Sequence, residues 1–200
     1  MEDERIIALI LAAGSSSRMG KSKQLLHVDG QPLLRKTIET TLASHANSIL
    51  VVLGDNSDSI SKSISDMPVD CILNENWTEG IGSSLKSGVR EIQKRYLNAE
   101  AILILVCDQP LLTADHLNEL IRKYIGLKKL IIASGYTNTA GVPAIFDKAL
   151  FHQLLALENH QGAKKIIEQL AESTVVVSFA EGAVDLDTPE DYSRYKTLHP

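Results

Sequence analysis

Five apolar runs without strict alternation dominate the chain: "RIIALILAA" from Arg5, "SILVVLG" from Ser48, "AILILVC" from Ala101, "KLIIASG" from Lys129 and "TVVVSFA" from Thr174. A strand with one face in water alternates apolar and polar residues. A run that is apolar throughout has to be covered on both faces, as in a parallel sheet sandwiched between helices. A weaker strand runs from Val69 to Leu73. Between the runs, apolar residues recur at three- and four-residue spacing over Leu33 to Leu42, Ser84 to Tyr96, Thr113 to Tyr124, Lys148 to Leu157 and Ala163 to Leu170, which predicts helices. Strands alternating with helices predict a single-domain, three-layer α/β/α fold with a Rossmann-like, mostly parallel sheet. No repeat or linker divides residues 1–200, so one domain is expected over that length.

Composition narrows the function classes. A formal charge of −5 and a pI near 5.7 give no general attraction for nucleic acid, so none is expected as a partner. No apolar stretch approaches the roughly 20 residues of a membrane span, and the acidic start "MEDER" is unlike a secretory signal, so a cytoplasmic protein with no membrane partner is expected. Cys71 and Cys107 form no metal-binding pair and are read as buried, reduced thiols.

Open α/β sheets bind ligands beyond the carboxyl ends of their strands. After the first run comes "GSSSRMGKS", which at first sight is a P-loop. That motif needs a glycine five residues before the Gly-Lys-Ser glycine, and the position holds Ser15, with Gly14 one residue too early. The long helix that should follow is interrupted by the turn signal Asp29-Gly30 and by Pro32, so the next helix starts near Pro32. What remains is a small-residue loop, Ala12 to Ser17, that lets backbone approach a ligand, followed by Arg18, Lys21 and Lys23 as a local trap for anions.

Further polar residues collect at the other strand ends. Asp108 in "CDQP" ends a run where a carboxylate suits Mg2+, which takes one or two carboxylates and completes its shell with water and substrate phosphates. A cap on a turn is the plainer role for the same residue. Asn74 follows the weak strand, and "EGIGSSLKSG" opens a helix. There Gly80 and Gly82 permit close backbone approach, and Ser83 and Ser84 lie near the free N–H groups of the first turn. Trp77 can pack against this loop or against a ligand, and as the only tryptophan is read as a hydrophobic anchor. "VDLDTPEDY" sets Asp185 and Asp187 on one side of an extended segment, with Thr188 as cap and Pro189 as first residue of a last helix. Thr113 caps the helix that follows Asp108. "NTAGVPAIFD", with Gly141 and Pro143, reads as a turn.

The segment "LILAAGSSSRMGKSKQLLHVDGQPLL" fits without gaps the nucleotidyltransferase signature LAAGxSxRMGxxKxLLxxxGxPLL, and the chain resembles the molybdenum cofactor cytidylyltransferases. The resemblance implies the nucleotide-diphosphosugar transferase type of sheet, and a CMP group passed from CTP to the terminal phosphate of a molybdopterin-type cofactor. Backbone of Leu11, Ala12, Ala13 and Gly14 would then touch nucleotide, Arg18 would meet the triphosphate, and Lys23 would stabilise phosphate charge. "CDQPLLTAD" resembles the element whose aspartate holds Mg2+, here Asp108, and "DLDTPED" the element whose second aspartate, Asp187, is a further metal ligand with Asp185 in support. Asn74, Gly80, Ser83 and Ser84 match the base and ribose pocket, and Gly141 and Pro143 match the acceptor side. In "LLALENHQGAKKII" the family's Gly-Asp pair is replaced by Asn159 and His160. A molybdoenzyme receiving the product is the further partner implied. Two alternatives stand beside this reading: a nucleotidyltransferase for a sugar phosphate or alcohol phosphate, and a non-catalytic carrier of the cofactor.

Overall fold

The computed structural model describes residues 5–15, 19–136 and 139–199. Each apolar run becomes a strand. In chain order, β1 (Arg5–Ala12) is followed by the short pair β2 (His27–Val28) and β3 (Gln31–Pro32), then α1 (Leu33–Leu42), β4 (Ser48–Leu53), α2 (Ser57–Ser63) and β5 (Asp70–Leu73). Next come α3 (Ile81–Arg95), β6 (Ala99–Val106), α4 (Ala114–Leu127), β7 (Ile131–Tyr136) and β8 (Thr139–Asp147). The chain continues through α5 (Phe151–Ala156), α6 (Lys164–Gln169), β9 (Thr174–Ser178) and α7 (Pro189–Leu198).

Among the described residues the main sheet has the order β5-β4-β1-β6-β8-β7-β9. β8 alone runs antiparallel, to both β6 and β7, while the other pairings are parallel. Period-two alternation in β1 divides the core. Ile6, Ala8 and Ile10 pack with Leu34 and Ile38 of α1, Ile60 of α2 and Leu117, Leu120 and Ile121 of α4. Ile7, Leu9 and Leu11 face Leu85, Val89 and Ile92 of α3, Leu154 of α5 and Ile166 of α6. Both faces of the sheet are therefore covered, which is why its central strands tolerate no polar alternation. Among the described residues no helix is long and apolar enough to cross a membrane.

Several expectations change in detail. The segment read as a turn around Gly141 and Pro143 is β8, an interior strand. Ala133 pairs with Ala144 but Ser134 pairs with Gly141, so Val142 and Pro143 fall in the irregularity between them, where proline's missing N–H costs no ladder bond. The helix expected over Lys148 to Leu157 is a 3-10 turn, Lys148–Leu150, continued by α5, and the strand expected from Lys129 begins at Ile131. Cys107 is buried, whereas Cys71 is only half-buried; both are free.

The interruption before α1 is as expected. Asp29 and Gly30 take φ of 51° and 83°, the conformation of a tight hairpin turn between β2 and β3. Thr113 caps α4 by accepting from the His116 N–H, and Thr188 caps α7 in a capping box with Asp191, with Pro189 at the first helical position.

Candidate active site

At the carboxyl ends of β1 and β6 lies a cavity of about 280 Å³. One wall is backbone and small side chains, Leu11, Ala12, Ala13 and Gly14, continuing β1; the opposite wall is Gly80, Ile81 and Ser84 at the start of α3, beside Trp77. Lys23 and Asp108 close one end.

The charged end is built by three segments far apart in sequence. Asp108 follows β6, the central strand. The Asp108 carbonyl accepts the Leu186 N–H at 3.0 Å, and Leu186 is fully buried, so this bond docks the segment carrying Asp185 and Asp187 beside Asp108. Lys23 Nζ then donates to Asp108 Oδ2 at 2.5 Å and to Asp187 Oδ1 at 3.1 Å. Burial works to lower the Lys23 pKa, but the Asp108 charge and the hydrogen bonds to both carboxylates outweigh it and hold the ammonium charged well above its ordinary range. Asp185 keeps much of its surface open, yet crowding by protein, then the Asp108 and Asp187 charges, raises its pKa to about 6. Burial, and next the Asp108 charge, pushes the Cys107 thiol up to about 12, which keeps it protonated and unreactive.

Gln24, given no role from sequence, fixes the wall formed by Leu11 to Gly14. It is completely buried, and its amide donates to the Ala12 and Gly14 carbonyls, both at 2.9 Å. The signal was a lone glutamine beside Leu25 and Leu26, a polar residue inside an apolar patch that must find partners. Gln109 is the second such residue. Its Nε2 donates to Tyr136 Oη and the Gly182 carbonyl, each at 3.1 Å, and to the Val142 carbonyl at 3.4 Å. It thereby ties the Gly141 and Pro143 stretch of β8 to the end of β6, although neither residue lines the cavity.

The α3 wall is also hydrogen-bonded from within. Asn74, buried after β5, donates to Ser83 Oγ at 3.1 Å and Ser84 Oγ at 3.0 Å, leaving the cavity-lining Ser84 hydroxyl proton to point elsewhere. The expectation of free N–H groups near Ser83 and Ser84 is corrected here: the Asn159 carbonyl accepts from Gly82 N at 2.8 Å and Ser83 N at 3.3 Å. The loop at 157–161 folds over the helix start, with Lys86 Nζ donating to the Leu157 carbonyl and Asn159 Nδ2 to Glu79. Gly80 sits at φ 120°, and a Cβ on Gly82 would lie 2.2 Å from the Glu158 carbonyl, so both glycines are required by this closure. Lys21 is exposed, and Arg18 lies outside the described residues.

Among the described residues no group of three or more His, Cys, Asp or Glu could enclose a metal. Mg2+ does not need such a cage, since one or two carboxylates with waters and substrate phosphates complete its shell. Asp108 and Asp187 already share one cationic nitrogen and fit that donor set.

Comparison with known proteins fits this geometry. Residues 8–174 match a family model described as the MobA-like NTP transferase domain. The chain is 29% identical to the purine catabolism protein PucB of Bacillus subtilis (strain 168) over 96% of each chain. It is 26% identical to the molybdenum cofactor cytidylyltransferase of Escherichia coli (strain K12), over 94% of this chain and 93% of that one. Among solved structures, the Mycobacterium tuberculosis Rv0371c homolog from Mycobacterium sp. strain JC1 superimposes with a TM-score of 0.83 at 28% identity, covering 98% of both chains.

Proposed function

The chain belongs to the family of MobA-like NTP transferases and is a nucleotidyltransferase, and from that premise we propose that it transfers CMP from CTP to the terminal phosphate of a molybdopterin-type cofactor. The observation that carries the reading is the convergence of Lys23 and Asp108, with Asp187 bound to the same ammonium, at one end of a cavity whose other walls are uncharged backbone, hydroxyl and apolar groups. Full-length likeness to a molybdenum cofactor cytidylyltransferase supports the acceptor and the base. The alanine at position 13, in "LAAG", agrees with cytidylyl rather than guanylyl members. A molybdoenzyme is the proposed recipient of the product.

In the reaction an oxygen of the acceptor phosphate attacks the α-phosphorus of CTP, a new P–O bond forms, and the bond to the bridging oxygen breaks to release pyrophosphate. Both partners are anions and no protein nucleophile is needed, so the residues act by positioning and charge neutralisation. Leu11 to Gly14 present backbone to the nucleotide, held by Gln24. Ser84, its oxygen already accepting from Asn74, can donate its proton to an acceptor atom of the base. Gly80 and Ser83 give this wall its shape. Lys23, with Arg18, neutralises the departing pyrophosphate. Asp108 and Asp187 would hold Mg2+, which when bound supplies electrostatic stabilisation of charge on the phosphates. Asp185 adds negative charge behind that pair. Gly141 and Pro143 shape the acceptor side, tethered to the Asp108 strand through Gln109. The test is pyrophosphate release measured with each of the four NTPs, with and without molybdopterin cofactor. Release that requires both CTP and the cofactor is the expected result; release with CTP that is independent of the cofactor, or dependent on a sugar phosphate, would reject it.

A further inference from the structure

Lys23 is asked to do two things that one position cannot satisfy. Its ammonium holds Asp108 at 2.5 Å and Asp187 at 3.1 Å. The same nitrogen is needed on the phosphates of the nucleotide, and the same carboxylates are needed by a divalent ion. We propose that Lys23 and the divalent cation compete for Asp108 and Asp187, and that the nucleotide, by drawing Lys23 onto its phosphates, releases the carboxylates to the metal. This rests on the reading of the site as a nucleotide transfer centre.

Charge decides the competition. Asp108 and Asp187 with one ammonium carry a net −1, and Asp185 adds further negative charge beside them; a dication in place of the ammonium neutralises the pair, and it needs the same Asp108 Oδ2 and Asp187 Oδ1 that the ammonium occupies. Like charges crowded in a partly desolvated site repel strongly, so the two cations exclude one another until phosphate oxygens supply further negative charge. The surroundings let only the side chain exchange. Gln24, next in sequence, is anchored to the Ala12 and Gly14 carbonyls, and the Leu25 and Leu26 N–H groups donate to the Ser22 and Lys23 carbonyls, so the backbone around Lys23 is held. The four-carbon stem of lysine is flexible and its ammonium is a compact charge, which suits a group that must move between partners. By reciprocity, nucleotide strengthens metal binding and metal strengthens nucleotide binding, with Lys23 as the element both ligands bias.

Mn2+ is the probe, followed by its free-ion electron paramagnetic resonance signal in protein without nucleotide. Lys23→Gln and Lys23→Met, each verified as folded by circular dichroism, are expected to bind Mn2+ tighter than wild type by about 10-fold or more, a typical size for coupling through one bistable element. Equal or weaker binding in the folded variants overturns the proposal. A second measurement needs no substitution: wild-type protein is acetylated briefly with and without saturating Mn2+, and Lys23 is compared with its exposed neighbour Lys21 by peptide mass spectrometry. Mn2+ should raise the Lys23 yield several-fold relative to Lys21, because the displaced ammonium loses its carboxylate shelter; an unchanged ratio overturns the proposal. Neither readout involves turnover, so its failure is distinguishable from failure of the transfer reading, which pyrophosphate release judges separately.

Discussion

Replacing Gln24 with leucine removes the amide and nearly preserves the volume, so it separates hydrogen bonding from packing. At least two neutral hydrogen bonds, those of 2.9 Å to Ala12 and Gly14, are lost. Each contributes about 1 kcal/mol net, and the Ala12 acceptor is buried where water does not replace the donor, adding about 1–2 kcal/mol for an unsatisfied group. The Gly14 carbonyl lies at an exposed residue and can be rehydrated. The expected loss is therefore about 2–4 kcal/mol in unfolding free energy, read from urea denaturation with an unchanged slope. Because the two carbonyls belong to the wall proposed to meet the nucleotide, CTP affinity should fall in the same variant under conditions where it is fully folded. A stability change below about 0.5 kcal/mol, the scatter of ordinary surface substitutions, would refute the assignment of Gln24 as the pin of this loop.

Lys23→Ala and Asp108→Ala, purified and folded, should each lower turnover by about 100-fold or more, the usual cost of removing one donor or charge that stabilises a transition state; steady-state pyrophosphate release checks this. Gly82→Ala places a Cβ 2.2 Å from the Glu158 carbonyl and should destabilise by about 1–3 kcal/mol as the 157–161 loop is forced off α3, visible as a lower melting temperature. Asp185 has a folded pKa of about 6 against an ordinary 3.8, so its protonated form favours folding. That contribution is complete below 3.8 and is lost as pH rises through about 6. Asp185→Asn should thus melt higher than wild type at pH 8 in EDTA and equally at pH 3.5; a difference that grows toward acid would contradict it.

The layered sheet was legible because burial on both faces leaves a direct trace: runs such as "AILILV" cannot be exposed strands. β8 hid because Gly141 and Pro143 read as a turn, and only the partner strand reveals that Val142 and Pro143 occupy an irregularity in the pairing. α2 hid because Ile60 is its one buried residue, too little apolar periodicity to register. Within the site, Asp108 and the Leu11 to Gly14 stretch announce themselves by following strands. The ion pairs of Lys23 do not, since Asp108 and Asp187 lie 85 and 164 residues away and their proximity depends on the bond from Leu186 to Asp108. The Asn159 carbonyl over α3 is a backbone contact, to which side-chain identity is blind.

The most direct measurement follows the label of [α-32P]CTP incubated with the protein, Mg2+ and molybdopterin cofactor. Transfer as proposed moves the label into a cofactor dinucleotide, with one unlabelled pyrophosphate released per label transferred. Label that stays in CTP, or that appears as free CMP at the same rate without the cofactor, would contradict the account.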